Sequence, residues 1–237
     1  MCSSDLAVVG TRRPQPRSIS EVRRVLAGLR GRDFVIVSGF ARGIDAAAHE
    51  AALALDLPTV AVLGAGFAFD YPSAHGSLRR RILEAGGLLV TEFSDEEGPA
   101  AHQFIRRNRL IAQWSRASWV VEAAAKSGAL NTADWAQRAH RTVYATPAFP
   151  EDPTLAGNQR LLDDDAAQAV WGLHSFGSTW LELAAMRPGG AARPSSTPSA
   201  NGALEKIEAE IQRHERIDRK STRLNSRHIT ISYAVFC

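Results

Sequence analysis

Six short apolar runs recur between residues 6 and 147: LAVVG (6–10), FVIVSG (34–39), TVAVLG (59–64), LLVTE (88–92), SWVVEA (118–123) and TVYATP (142–147). Each is continuously apolar rather than alternating, as a strand needs when helices cover both faces of its sheet. Between them ISEVRRVLAGLR, GIDAAAHEAALAL, SLRRRILEAG, RRNRLIAQWS and ALNTADWAQRAH carry helical periodicity and are long enough to cross over a sheet. The pattern predicts an α/β fold, a doubly wound, mostly parallel sheet of Rossmann type. Residues 148–170, with Pro150, Pro153 and Gly157, read as a loop-rich return, and residues 173–186 as one more helix.

Residues 7–185 are thus one domain. Residues 186–202, rich in Pro, Gly, Ser and Ala, read as a flexible linker, and 203–220 as an amphipathic helix that opens a truncated C-terminal segment. The two ends, 1–6 and 221–237, look like translated adapter or assembly sequence and are expected to stand outside the fold. They hold the only cysteines, Cys2 and Cys237, so no disulfide, redox or zinc argument is available. At 237 residues and 45% hydrophobic the chain can bury a full core, and no run reaches the roughly 18 apolar residues of a membrane span. With no signal peptide pattern either, a cytoplasmic protein is expected. The net charge of +3 owes two charges to Arg223 and Arg227, so overall charge carries no argument for nucleic acid and only local clusters can.

In an open parallel sheet, ligands bind beyond the carboxyl ends of the strands, where helix N-termini present free N–H groups. Small and cationic residues converge there: Gly10, Thr11, Arg12 and Arg13 after the first run, Ser38, Gly39, Arg42 and Gly43 after the second, and Lys126, Ser127 and Gly128 after the fifth. Glycines let a backbone approach a ligand, and Arg12, Arg13, Arg42 and Lys126 add charge at one rim, which points to a polyanion. Arg106, Arg107, Asn108 and Arg109 are expected to open a helix, where cations oppose the dipole unless they meet phosphate or an acid. Ion pairing with Glu92 or Glu122 is the competing account of these arginines. Arg79, Arg80 and Arg81 are expected on a solvated face.

Catalytic constellations are thin. His49 on an alanine-rich helix reads as a packing residue, and Asp45 as a carboxylate favoured by the first turn of a helix. No G-x-S-x-G, H-E-x-x-H or P-loop pattern occurs, and Gly64, Ala65 and Gly66 lack the rest of a dinucleotide fingerprint. No catalytic residue, metal or cofactor is expected.

Taken together, VVGTRRP (8–14), VSGFARGIDAAAHEAAL (37–53), TVAVLGAGFAFDYP (59–72), TEF (91–93), FIRRNRLIAQWS (104–115), VVEAAAKSGALNTADWA (120–136) and GNQRLL (157–162) resemble the DNA-processing protein A family (DprA, Smf). The resemblance runs from residue 7 to about 170, in order. It implies an extended Rossmann-like domain that binds single-stranded DNA, forms a homodimer and hands the strand to the RecA recombinase during natural transformation, without catalytic turnover. It also implies Arg42 and Lys126 as principal phosphate contacts, with Arg12, Arg13, Arg107 and Arg109 next and Asn108 beside them. The dimer surface is expected from residues 127–140 and 142–183, through Trp135, Val143, Phe149, Leu155, Trp171, Phe176 and Trp180. The chain departs from the family where Ile105 and Arg106 replace the usual proline before RNR, where Thr146, Pro147 and Ala148 close the sixth run, and at Asp163, Asp164 and Asp165.

A second class remains open: an enzyme or sensor acting on a small nucleotide in the same pocket. It needs a carboxylate for a glycosidic bond, for which Glu92 and Glu122 are the candidates. The Gly-Gly-x-Gly-Thr loop of cytokinin-activating relatives is absent, which favours the DNA reading. A third possibility is an inert fragment.

Overall fold

The computed structural model describes residues 4–32, 34–148, 152–176 and 232–234. Eight strands, β1 (Ser4–Val9), β2 (Phe34–Ser38), β3 (Thr59–Val62), β4 (Leu88–Thr91), β5 (Ala117–Val120), β6 (Thr142–Ala145), β7 (Gln168–Ala169) and β8 (Ser232–Ala234), form one sheet in the order β7-β6-β5-β1-β2-β3-β4-β8. The first seven are parallel and β8 alone is antiparallel, on β4. The six apolar runs are six of these strands, so the doubly wound Rossmann-like fold is as the pattern predicts.

The helices are α1 (Pro16–Ala27), α2 (Ile44–Ala54), α3 (Gly76–Glu84), α4 (Ala101–Trp114), α5 (Ala129–Arg138) and α6 (Ala156–Asp163). Successive strand residues face opposite ways, so Leu6 and Val8 of β1 pack with α1 and α2 while Ala7 and Val9 pack with α4 and α5. Both faces of the sheet are therefore buried, which is why the runs do not alternate. α3 closes the far end through Leu78 and Ile82 against Ala61, Leu63 and Leu89. Chain order runs outward from β1 through β4, then returns so that β5 lies on the other side of β1. The topological switch point is thus between β1 and β5, where the crossovers diverge and leave a crevice.

Four expectations change. β1 begins at Ser4 in register with Phe34, so residues 4–6, set aside with the N-terminal end, pair in the sheet. Ser232–Ala234 likewise pairs with β4, inside the segment 221–237 that was expected to stand apart. The return over 148–170 contains α6 and β7: Asp152 caps the turn at Pro153–Leu155 by accepting from Thr154 N–H at 2.9 Å, and α6 follows directly. Finally, α4 starts five residues before Arg106, because the Gln103 side chain reaches back to the Ala100 N–H at 2.9 Å and closes the first turn. Of the helix expected over 173–186, Leu173–Phe176 is a 3-10 turn and the rest lies outside the described residues, as do the linker and the helix at 203–220. Among the described residues no helix is long and apolar enough to cross a membrane.

Candidate nucleic-acid interface

Two loops build the crevice wall. The β1–α1 loop, with Arg12 and Arg13, crosses directly over Gly43 at the start of α2, where a Cβ would lie 2.3 Å from the Thr11 carbonyl oxygen; Gly43 also has φ +80°. Only glycine satisfies both demands, and the crossing is held by the Ile44 N–H donating to that same carbonyl at 3.1 Å. The loops carrying Arg12, Arg13 and Arg42 are thereby stacked. All three side chains are exposed, and none has an ion-pair partner among the described residues.

The crevice has two lobes. One, of about 550 Å³, opens between the ends of β1 and β5 and is lined by Gly10, Thr11, Asp45, Asn108, Ser127 and Gly128 among others. The other, of about 430 Å³, lies over the β2–α2 turn and includes Arg13, Gly39 and Arg42. Arg12 lines both. The expected residues Gly10, Thr11, Arg12, Arg13, Gly39, Arg42, Asn108, Ser127 and Gly128 are therefore brought to one place. Lys126 is exposed on the adjoining loop, one residue outside the lining. Asn108 is partly engaged, donating through Nδ2 to the Gly128 carbonyl at 3.3 Å.

Ser38, Arg107 and Arg109 are engaged in bonds within the protein, Arg107 while also lining the first lobe, and Gly43 is the crossing point. Ser38 is fully buried and its hydroxyl donates to the Val8 carbonyl at 2.6 Å, tying β2 to β1. Arg107 is buried in mid-helix: its Nη1 donates to the Gly39 carbonyl at 2.5 Å and also to the Val62 carbonyl. Burial pushes its pKa down to about 10, opposed by the carboxylate of Asp45. Asp45 is itself raised by burial, opposed chiefly by Arg107, and accepts from the Ala41 N–H at 3.2 Å. Arg109 donates to Glu92 at 2.5 Å, and Arg106 approaches the same carboxylate at 3.2 Å. Because α4 starts at Ala101, these arginines lie past its first turn, and the dipole argument for phosphate does not apply to them. Arg79 also departs from expectation, pairing with Asp70 at 2.8 Å, whereas Arg80 and Arg81 are exposed.

Neither candidate carboxylate for nucleotide chemistry reaches the crevice. Glu92 is enclosed by its two arginines, and Glu122 is buried and accepts from the Gln15 N–H at 2.9 Å. Among the described residues no cluster of His, Cys, Asp and Glu is placed to hold a metal. The GNQRLL segment is a clamp, since Asn158 donates through Nδ2 to the carbonyls of Val120, Val121 and Thr146 and pins α6 to the ends of β5 and β6.

Sequence reasoning missed the aromatic pair in the crevice, Tyr71 and Phe104, with ring centroids 5.3 Å apart. The Arg12 guanidinium stands 5.6 Å from the Phe104 centroid. The spacing hides it: Phe104 lies two turns before Ile111 on the same face of α4 and reads as one more core residue.

Comparison with known proteins agrees with this arrangement. A family model described as DNA recombination-mediator protein A matches residues 2–179. The DNA processing protein DprA of Mycobacterium tuberculosis is 46% identical over 156 residues, 66% of this chain and 40% of that protein. The X-ray structure of DprA from Streptococcus pneumoniae superposes with a TM-score of 0.67 at 35% identity, covering 72% of this chain and 59% of that one. DNA processing protein A from Helicobacter pylori, described for its single-stranded DNA binding mode, gives a TM-score of 0.69 at 29% identity over 77% of this chain and 82% of that one. The chain spans 40% to 56% of the length of the curated relatives it matches. Matched over three quarters of its length, and with the strand-end crevice formed by the motifs that carry the match, the chain belongs to the DNA recombination-mediator protein A family.

Proposed function

We propose that this protein binds single-stranded DNA along the crevice at the β1–β5 switch point and, as part of a cytoplasmic homodimer, delivers it to the RecA recombinase during transformation and recombination. One observation carries the binding reading. Among the described residues Arg12, Arg13 and Arg42 rim the crevice without an ion-pair partner, whereas Arg79, Arg106 and Arg109 are each paired with an acid. Exposed like charges held close together repel, and a polyanion relieves that repulsion. Arg42 and Lys126 are the principal phosphate contacts in this reading, with Arg12 and Arg13 alongside and Ser127 and Gly128 on the adjoining loop. Arg109 acts behind the surface, while Arg107 borders the first lobe and holds the Gly39 turn from within. That the Helicobacter pylori protein is described for a single-stranded DNA binding mode supports the single-strand reading.

The small-nucleotide reading is the weaker one, because both carboxylates that it needs are enclosed away from the crevice. The test is fluorescence anisotropy of a labelled oligothymidine, run beside a nucleotide-hydrolysis assay on the same preparation. Binding of the oligomer without turnover supports a DNA-binding protein; turnover without oligomer binding reverses the assignment.

A further inference from the structure

Arg12, Ala41, Tyr71 and Phe104 line both lobes of the crevice, so they form the waist between them. Two of the four are aromatic, and neither ring is swallowed by the core: Tyr71 is 43% exposed and Phe104 half-buried. Their planes are inclined by 39°. Phe104 is seated on backbone, since a Cβ on Gly64 would lie 2.4 Å from its Cδ1. The glycine after β3 therefore makes room for a ring rather than for a ligand. Two guanidinium groups stand within 6.0 Å of the same ring, Arg12 at 5.6 Å and the buried Arg107 at 6.0 Å. Phe104 is thus fixed from below and from the side, while the Tyr71 ring packed on it is open to solvent.

An exposed ring in a crevice that it shares with Arg12, Arg13 and Arg42, none of them ion-paired among the described residues, matches an occupant that is both anionic and flat. A polyphosphate alone leaves the rings unused, and an apolar peptide leaves the arginines unused. A single-stranded nucleic acid uses both, with phosphates on cations and a base on the ring. We propose that the waist is a nucleobase subsite, in which one base of a bound strand stacks on Tyr71 over Phe104 while flanking phosphates lie against Arg12, Arg13 and Arg42. The proposal rests on the single-strand reading above and adds a second source of selectivity to it. A base inside a duplex has both faces covered by its neighbours, so only an unstacked strand can offer a free face. Every base has such a face, so the subsite tolerates any sequence.

The test uses the full chain with Tyr71→Leu and Tyr71→Phe, two labelled oligomers of equal length, and a salt series. One oligomer is oligothymidine and the other an abasic deoxyribose-phosphate chain with the same charge. The wild type should prefer oligothymidine, and Tyr71→Leu should weaken oligothymidine by roughly 5- to 150-fold, the span of one stacking contact, while leaving the abasic chain unchanged. The salt slope should not move, because no charge is lost, and Tyr71→Phe should bind as the wild type does. Tyr71→Leu retaining the preference for bases overturns the subsite, and so does a loss shared by both oligomers with a reduced slope, which would mean that the arginines had shifted. Failure of the wild type to bind either oligomer instead removes the single-strand reading itself.

Discussion

The Arg107 guanidinium donates to the carbonyl oxygen of Gly39 at 2.5 Å, so a side chain from the middle of α4 holds the turn that leads to Arg42. With the Asp45 carboxylate accepting from Ala41 on the same turn, a buried pair of opposite charge fixes the crevice wall from inside. Removing one member leaves the other charge buried and uncompensated, which typically costs about 3–5 kcal/mol. Arg107→Gln should lose stability on that scale in urea unfolding, and Arg107→Lys should recover only part, because an ammonium cannot reproduce the planar fork. An unchanged unfolding midpoint for Arg107→Gln would contradict the structural role assigned here.

His49 makes stability fall in acid. It is fully buried, and its Nδ1 lies 2.7 Å from Thr59 Oγ1, whose own proton goes to the Ile36 carbonyl at 2.9 Å. The hydroxyl oxygen therefore accepts from Nδ1–H, and the unpartnered Nε2 carries no proton in the neutral ring. Burial pushes the pKa down to about 3. The unfolded chain takes up a proton near pH 6.5 that the folded chain refuses, so stability is full above that pH and declines toward 3. Between pH 6.5 and 5 the loss should be about 2 kcal/mol. Urea titrations at the two pH values check this, and His49→Gln should remove most of the difference.

Much of the fold is legible in the sequence, because strands buried on both faces leave unbroken apolar runs and LAVVG or FVIVSG admit little else. The crevice is legible for the same reason, since strand ends are where the glycines and arginines fall. What was hidden depended on partners distant in the chain. The engagement of Arg106 and Arg109 shows only when Gln103 is seen to start α4 early and Glu92 is seen to lie beside them. Ser38 looks available until β1 is laid against β2 and its hydroxyl meets Val8. Tyr71 and Phe104 come together only when the β3–α3 loop and α4 meet over Gly64.

Strand type is the next expectation. A crevice at strand ends can follow a flexible backbone, so under the proposed function a single strand should bind better than a blunt duplex of the same length, with little sequence preference. Competition anisotropy decides this, and equal affinity for the duplex would contradict it.

Among the described residues, fewer of the side chains expected at a dimer surface are exposed than the sequence implies. Val143, Leu155 and Phe176 are buried inside the subunit and Trp135 is partly packed against the core, while Phe149 and Trp180 lie outside the described residues. Trp171, 66% exposed beside β7, is the remaining large apolar group of that set. If the proposed homodimer uses it, Trp171→Glu should shift sedimentation at tens of micromolar from dimer to monomer. A wild-type monomer at that concentration would contradict the dimer.

The central claim is that unpaired cations at the switch point hold phosphate, and the salt dependence of binding tests it most directly. Each phosphate neutralised on a single strand contributes roughly 0.7 to the slope of log affinity against log salt. Arg42→Ala and Lys126→Ala should each lower the slope by about 0.7 and weaken all single strands alike, while Arg80→Ala, exposed on α3, should leave it nearly unchanged. A slope that falls as much for Arg80→Ala as for Arg42→Ala would place the binding surface elsewhere.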